Sequence, residues 1–170
     1  MINAIDILQE GIITTDVEFG KPSQIGYDLS VKEVYKIGGK LGMILKDSTI
    51  LNEYVKLDTT RVDGHEGWLL YDGVYEVVFN EGCNIPDNRT GFIKQRSSLK
   101  RNGSEINSPV FDPGFKTQNM GTILKVNLPI FIEKDSRIAQ MYFHTNNPVD
   151  KDKLYNGMWM NDNQRQNYKK

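Results

Sequence analysis

The chain has 170 residues, with 21 Lys plus Arg against 22 Asp plus Glu and a formal net charge of −1. That balance argues against a dedicated nucleic-acid or anionic-membrane binder, which needs a surplus of cations to displace counterions. Hydrophobic residues at 38% supply one core of ordinary domain size and exclude wholesale disorder, while one cysteine, Cys83, and two histidines, His65 and His144, exclude an internal disulfide and make a Cys- or His-built metal centre a poor fit.

The N-terminus, MINAIDILQEG, has neither a basic n-region nor an apolar h-region, and no stretch approaches the roughly 20 apolar residues that cross a bilayer. The chain therefore reads as soluble and cytoplasmic. Ile5, Leu8 and Ile12 recur at helical spacing, and Gly11 stops that helix early. After it come short runs rich in Val, Ile, Tyr and Phe: 26–31, 68–71, 75–79, 90–93, 122–126, 130–132 and 137–143. Several place apolar residues two apart, the period of a half-buried strand, with turn signals at 71–73 and 101–103 between them. Many short strands with almost no helix predict an all-β sandwich, jelly roll or barrel behind one short N-terminal helix. Residues 1–145 form this domain. Residues 146–170 are a polar tail whose aromatics, Tyr155, Trp159 and Tyr168, predict docking onto something outside the tail, a neighbouring subunit or a ligand.

Four clusters carry candidate chemistry. In Gly26-Tyr27-Asp28-Leu29-Ser30 an Asp sits inside a strand pattern, either as a hydrogen-bond anchor or as a ligand for a hard cation such as Mg²⁺. Arg96-Ser97-Ser98-Leu99-Lys100-Arg101-Asn102-Gly103 concentrates hydroxyls and cations that suit phosphate oxygens, though an ordinary basic loop has the same composition. Asn107 to Phe115 places Asp112 between aromatics on a Pro-Gly bend, where a partly desolvated carboxylate can act as general base or simply cap a turn. In Ser136-Arg137-Ile138-Ala139-Gln140, strand alternation sends Arg137 and Gln140 to opposite faces, so that one reaches a ligand while the other braces the structure.

The order and spacing of these clusters resemble the trimeric dUTPase family and its sister group, the dCTP deaminases. Gly26-Tyr27-Asp28-Leu29, Arg96-Ser97-Ser98-Leu99, Phe111-Asp112-Pro113-Gly114-Phe115 and Arg137-Ile138-Ala139-Gln140 look like the four family motifs. Phe79-Asn80-Glu81, Ile85-Pro86 and the tail Tyr155-Asn156-Gly157-Met158-Trp159 resemble the short-tailed archaeal and viral branch. The resemblance implies a distorted jelly roll, a homotrimer with sites at subunit boundaries, and Mg²⁺-assisted hydrolysis of dUTP to dUMP and pyrophosphate. For a viral protein the compartment would be the host cytoplasm. It further implies that Asp112 activates the attacking water and that Phe115 replaces a family tyrosine that stacks on deoxyribose. Arg96, Ser97, Ser98 and Gln140 would hold phosphates, and Asp28 would support the metal through its water shell. The hairpin from Asn107 through Ser108 and Val110 to Phe111 would read the uracil edge. Tyr155 or Trp159 would cap the base, and Arg165 or Lys169 would reach the γ-phosphate.

Two other functions are weighed against dUTP hydrolysis, the first a dCTP deaminase or a bifunctional deaminase and dUTPase. In the deaminases a glutamate follows the third motif, and the matching position here is Lys125, with Glu105 and Glu133 as substitutes only if the fold turns one inward. A lysine cannot shuttle protons to and from a cytosine ring as a carboxylate does. The remaining alternative is a catalytically weak homologue that acts by binding nucleotides or a protein partner.

Overall fold

The computed structural model describes residues 4–160. A strand of 13 residues, Gly26–Gly38, organises it. Its first half pairs antiparallel with Arg137–Thr145 and its second half with Gly73–Phe79. Bulges between Val31 and Glu33 and between Arg137 and Ala139 mark the place where it changes partners. An extra residue bends and twists a strand, so one strand serves both halves of a strongly curved sheet. That sheet runs in the order Arg89–Gln95, Arg137–Thr145, Gly26–Gly38, Gly73–Phe79, Gly121–Val126, Ser104–Asn107, and Lys21–Pro22 and Glu53–Lys56 also pair with the central strand. The result is a nearly closed, all-β, distorted jelly roll.

The core lies inside this curve. Leu29, Val31, Val34, Val77, Phe79, Leu124, Val126, Met141 and Phe143 are wholly inaccessible to solvent, and burying each such side chain contributes about 1.5–3 kcal/mol. Close approach of the two central strands requires Gly26: a Cβ there would lie 2.3 Å from the Met141 carbonyl oxygen.

The N-terminal helix is Ala4–Gln9, and Gly11, at φ +65°, ends it with its N–H bonded to the Leu8 carbonyl. The helix turns a different face inward from the one expected. Ile7 is fully buried whereas Leu8 is 42% exposed, and Ile12 lies beyond the helix at the edge of the strand Ile13–Thr14. The expected strands at 26–31, 68–71, 75–79, 90–93, 122–126, 130–132 and 137–143 fall within or largely overlap observed ones.

Candidate active site

A cavity of about 470 Å³ opens between the hairpin that follows Ser104–Asn107 and the folded-back tail. Pro109, Val110, Phe111, Asp112 and Phe115 form one wall, and Tyr155 and Trp159 form another. The hairpin is fixed at both ends. At its root the Thr122 hydroxyl donates to the Asn107 carbonyl at 3.2 Å, and at its far side Phe111 and Gly91 exchange backbone bonds of 3.0 and 2.9 Å. Buried Phe111 meets Phe115 edge to face at a centroid distance of 5.4 Å, and Phe115 meets Tyr155 likewise at 5.3 Å. These contacts give the cavity rigid aromatic walls of the kind a planar ring stacks on.

Asp112 begins a turn, with the Phe115 N–H donating to its carbonyl at 3.1 Å. The turn reading of this residue therefore holds, and Asp112 also lines the cavity. Its side chain is exposed at the rim rather than partly desolvated as expected, because the bend lifts it off the sheet. The tail docks on the same chain. The Val149 N–H bonds the Asp87 carbonyl and the Tyr155 N–H bonds the Pro113 carbonyl, placing Tyr155 and Trp159 over the cavity beside Asp112. Tyr168, Arg165 and Lys169 lie outside the described residues.

The second cluster lies around Asp28, which is buried in the central strand. Arg96 Nε stands 3.4 Å from one carboxylate oxygen, and Gln140 Nε2 donates to the other at 3.3 Å. The same Gln140 amide donates to the Ser23 hydroxyl, a partner that sequence reasoning missed. Arg96 is further held by donation from Nη1 to the Arg137 carbonyl at 3.1 Å. Asp28 is thus an anchor that orients Arg96 and Gln140. Each of its oxygens faces one N–H donor, and among the described residues no three His, Cys, Asp or Glu side chains converge as a metal site.

After Arg96 the chain makes a short helix, Ser97–Arg101, pinned by buried Leu99 and ended by Gly103 at φ +74°. It exposes the Ser97 and Ser98 side chains. Ser98 and Arg137 line a second cavity of about 400 Å³, together with His65 and Glu133. His65 Nδ1 is 2.8 Å from Glu133 Oε1, and this hydrogen bond and charge hold the imidazole pKa above its usual value. The bulge beside Arg137 breaks the strict alternation on which the opposite-face expectation rests: Gln140 braces Asp28 and Arg137 lines the cavity. The two cavities share no residue: within one chain Asp112 lines the first and Ser98 the second, whereas Arg96 and Ser97 line neither.

Of the other expected residues, Val110 lines the first cavity, while Asn107 and Ser108 shape its hairpin, Ser108 donating to the Pro109 carbonyl at 3.0 Å. Lys125 is exposed near Glu105, at 3.9 Å, and Glu105 and Glu133 are about half exposed, so neither carboxylate turns inward. The acid that does reach the first cavity is Glu76, buried in Gly73–Phe79. Its signal in the sequence was a lone carboxylate in an otherwise apolar strand.

A family model described as dCTP deaminase-like matches residues 4–146. This chain belongs to that family. Among curated members of the dCTP deaminase-like family or its relatives, a probable deoxyuridine 5'-triphosphate nucleotidohydrolase of Methanosarcina barkeri is 32% identical over 165 residues, covering 96% of this chain and 92% of the relative. A deoxyuridine 5'-triphosphate nucleotidohydrolase of Methanocaldococcus jannaschii is 37% identical over 122 residues, 71% of this chain and 76% of its own. The 2'-deoxycytidine 5'-triphosphate deaminase of Agrobacterium tumefaciens superposes with a TM-score of 0.62 at 15% identity, over 84% of this chain and 46% of that chain. The native EIAV dUTPase superposes with a TM-score of 0.51 at 15% identity, over 84% of this chain and 98% of that one. These two structures show that the jelly roll of the dCTP deaminase-like family is the fold of this chain. No helix among the described residues is long and apolar enough to cross a membrane.

Proposed function

We propose that this protein hydrolyses dUTP to dUMP and pyrophosphate. The observation that carries this is Asp112 held on a rigid turn at the mouth of an aromatic cavity that the chain's own tail covers. The full-length similarity to archaeal deoxyuridine triphosphate nucleotidohydrolases supports the same reading. Asp112 accepts a proton from water, the water oxygen bonds to the α-phosphorus, and the bond from that phosphorus to the oxygen bridging toward the β-phosphate breaks. Pyrophosphate leaves with that oxygen. Phe115 and Tyr155 offer faces to the sugar and base, and the hairpin offers its backbone groups to the uracil edge. Arg96, Ser97 and Ser98, with Arg137 beside them, supply the donors over which the leaving charge spreads.

The exposed rim position of Asp112 and its separation from the cavity that Ser98 lines support a homotrimer of half-sites, in which the Arg-Ser-Ser segment of a neighbouring copy faces Asp112. Mg²⁺ enters as an ion carried by the triphosphate, and no residue of this chain is assigned to it. A soluble nucleotide as substrate supports a cytoplasmic location.

Asp112→Asn tests the reading. Turnover falls by about 10³-fold while a non-hydrolysable dUTP analogue still binds, since general-base catalysis is worth 10²–10⁴. Wild-type protein that binds nucleotide without releasing pyrophosphate would mean a binding homologue instead. Ammonia released from dCTP would mean a deaminase, a reading that the exposed positions of Lys125, Glu105 and Glu133 disfavour.

A further inference from the structure

The cavity that holds Asp112 contains a second carboxylate with no part in the proposed hydrolysis. Glu76 is 6% exposed, yet it lines the cavity together with Tyr54, Thr122 and Ile123. Its place is set by register. Glu76 is opposite Ile123, and Ile123 is opposite Asn107, where the hairpin leaves the sheet. Cross-strand partners point to the same face of a sheet, so Glu76 lies in the row that runs to the root of the hairpin. Asp112, by contrast, sits beyond the hairpin's far side, at the rim. The two acids therefore address different parts of whatever occupies the cavity: the rim acid the phosphate end, the floor acid the ring.

Chemistry narrows what the floor acid can recognise. An ionised carboxylate is acceptor-only. Backbone groups of a hairpin can turn either a donor or an acceptor toward a base, but Glu76 rewards only a hydrogen carried on nitrogen and penalises a lone pair. The pyrimidines differ in just this respect. Uracil, attached to sugar at N1, has one N–H, at N3, flanked by two carbonyl oxygens. Cytosine has a bare N3 and an exocyclic amine at C4.

Resting on the nucleotide reading above, we infer that Glu76 is a specificity-determining residue: its carboxylate accepts a hydrogen bond from the pyrimidine's nitrogen-bound hydrogen and thereby decides which pyrimidine the cavity takes. The shared chemistry is one N–H donor on the base, and dUTP and dCTP are the two sources of it. Glu76→Gln keeps the size of the side chain, removes the charge and adds a donor, so it erases the rule that only a donor is rewarded.

The test measures binding without turnover. The α,β-imido analogues of dUTP and dCTP are titrated calorimetrically into wild type, Glu76→Gln and Glu76→Asp, with thermal melts as a folding control. Wild type prefers one analogue, and Glu76→Gln reduces that preference by about tenfold or more, the size expected when a hydrogen bond to a charged group is lost. The loss falls on the dUTP analogue if N3–H is the partner and on the dCTP analogue if the amine is. Should Glu76→Gln not fold, Glu76→Asp keeps the charge but shortens its reach, and a reduced preference supports the same assignment. Equal weakening of both analogues, or a preference unchanged in both variants, overturns it. So does ammonia release from dCTP that disappears in Glu76→Gln, because the carboxylate would then act on the ring instead of recognising it. Pyrophosphate release by wild type scores the hydrolase reading separately, so failure of one is not mistaken for failure of the other.

Discussion

Glu81 is fully buried, and its two oxygens accept from the Ser30 backbone N–H at 2.9 Å and the Ser30 hydroxyl at 2.7 Å. Burial raises its pKa above the ordinary 4.5, and the Ser30 bonds pull the other way without cancelling that rise. A raised folded-state value means that the native protein holds this proton at a pH where the unfolded chain has released it. The favourable contribution is complete below 4.5 and is lost as pH climbs through the raised value. Glu81→Gln cannot ionise, so its stability relative to wild type improves as pH rises above 4.5 and levels once the raised value is passed. Urea unfolding across that range measures it, and a difference independent of pH would show that Glu81 has an ordinary pKa. Asp28 shows where residue-scale reading of a sequence stops. Its strand pattern was legible, and both an anchor and a cation ligand fit the residue type. Only the arrival of Arg96 and Gln140 from segments 68 and 112 positions away in sequence makes it an anchor.

At the scale of elements, the tail depends on one glycine. Gly114 has φ +89°, and a Cβ there would lie 2.8 Å from the Leu154 Cβ and 3.0 Å from the Tyr155 nitrogen, where the tail lies down on the turn. Gly114→Ala therefore meets both left-handed strain, about 1–2 kcal/mol, and the tail itself. The cheapest relief is to lift Leu154 and Tyr155, which removes one wall of the cavity. We expect kcat/KM to fall about tenfold or more, because a 1 Å displacement in a site is enough for such losses, while limited proteolysis newly cuts near residue 150. Unchanged kinetics with a cleavable tail would separate tail docking from activity. Elements were legible wherever burial imposed a period, as in Arg137–Thr145, or an unbroken apolar run, as over most of Gly73–Phe79. Strands such as Glu53–Lys56 and Met43–Ile44, exposed along most or all of their length, carry no such alternation. The helix Ser97–Arg101 was hidden because five residues with one buried anchor, Leu99, read equally well as a basic loop. Glu76 was missed for the opposite reason: an apolar strand pattern directs attention to the core, and the face that becomes a cavity floor is defined only when Gly121–Val126 and the hairpin are laid beside it.

For the whole molecule, the separation of the two half-sites gives the sharpest consequence. Asp112 and Ser98 line different cavities within one chain, and a head-to-tail ring of identical subunits brings different surfaces of neighbours together at every boundary. Two variants, each defective in one half-site, should then repair each other. Asp112→Asn removes the base. Arg96→Gln weakens the phosphate end while leaving an amide donor for buried Asp28, so the charge is not stranded. Each variant alone is nearly inactive. When the two are unfolded together in equal amounts and refolded, a boundary is intact wherever an Asp112-bearing chain meets an Arg96-bearing neighbour in the right order. Random assortment makes this about one boundary in four, and activity returns toward about a quarter of wild type. If both residues instead serve one site within the same chain, no mixed assembly contains a complete site and activity stays at the level of the separate variants. Mixing without unfolding supplies the control, since stable rings that do not exchange subunits show no recovery until they are taken apart.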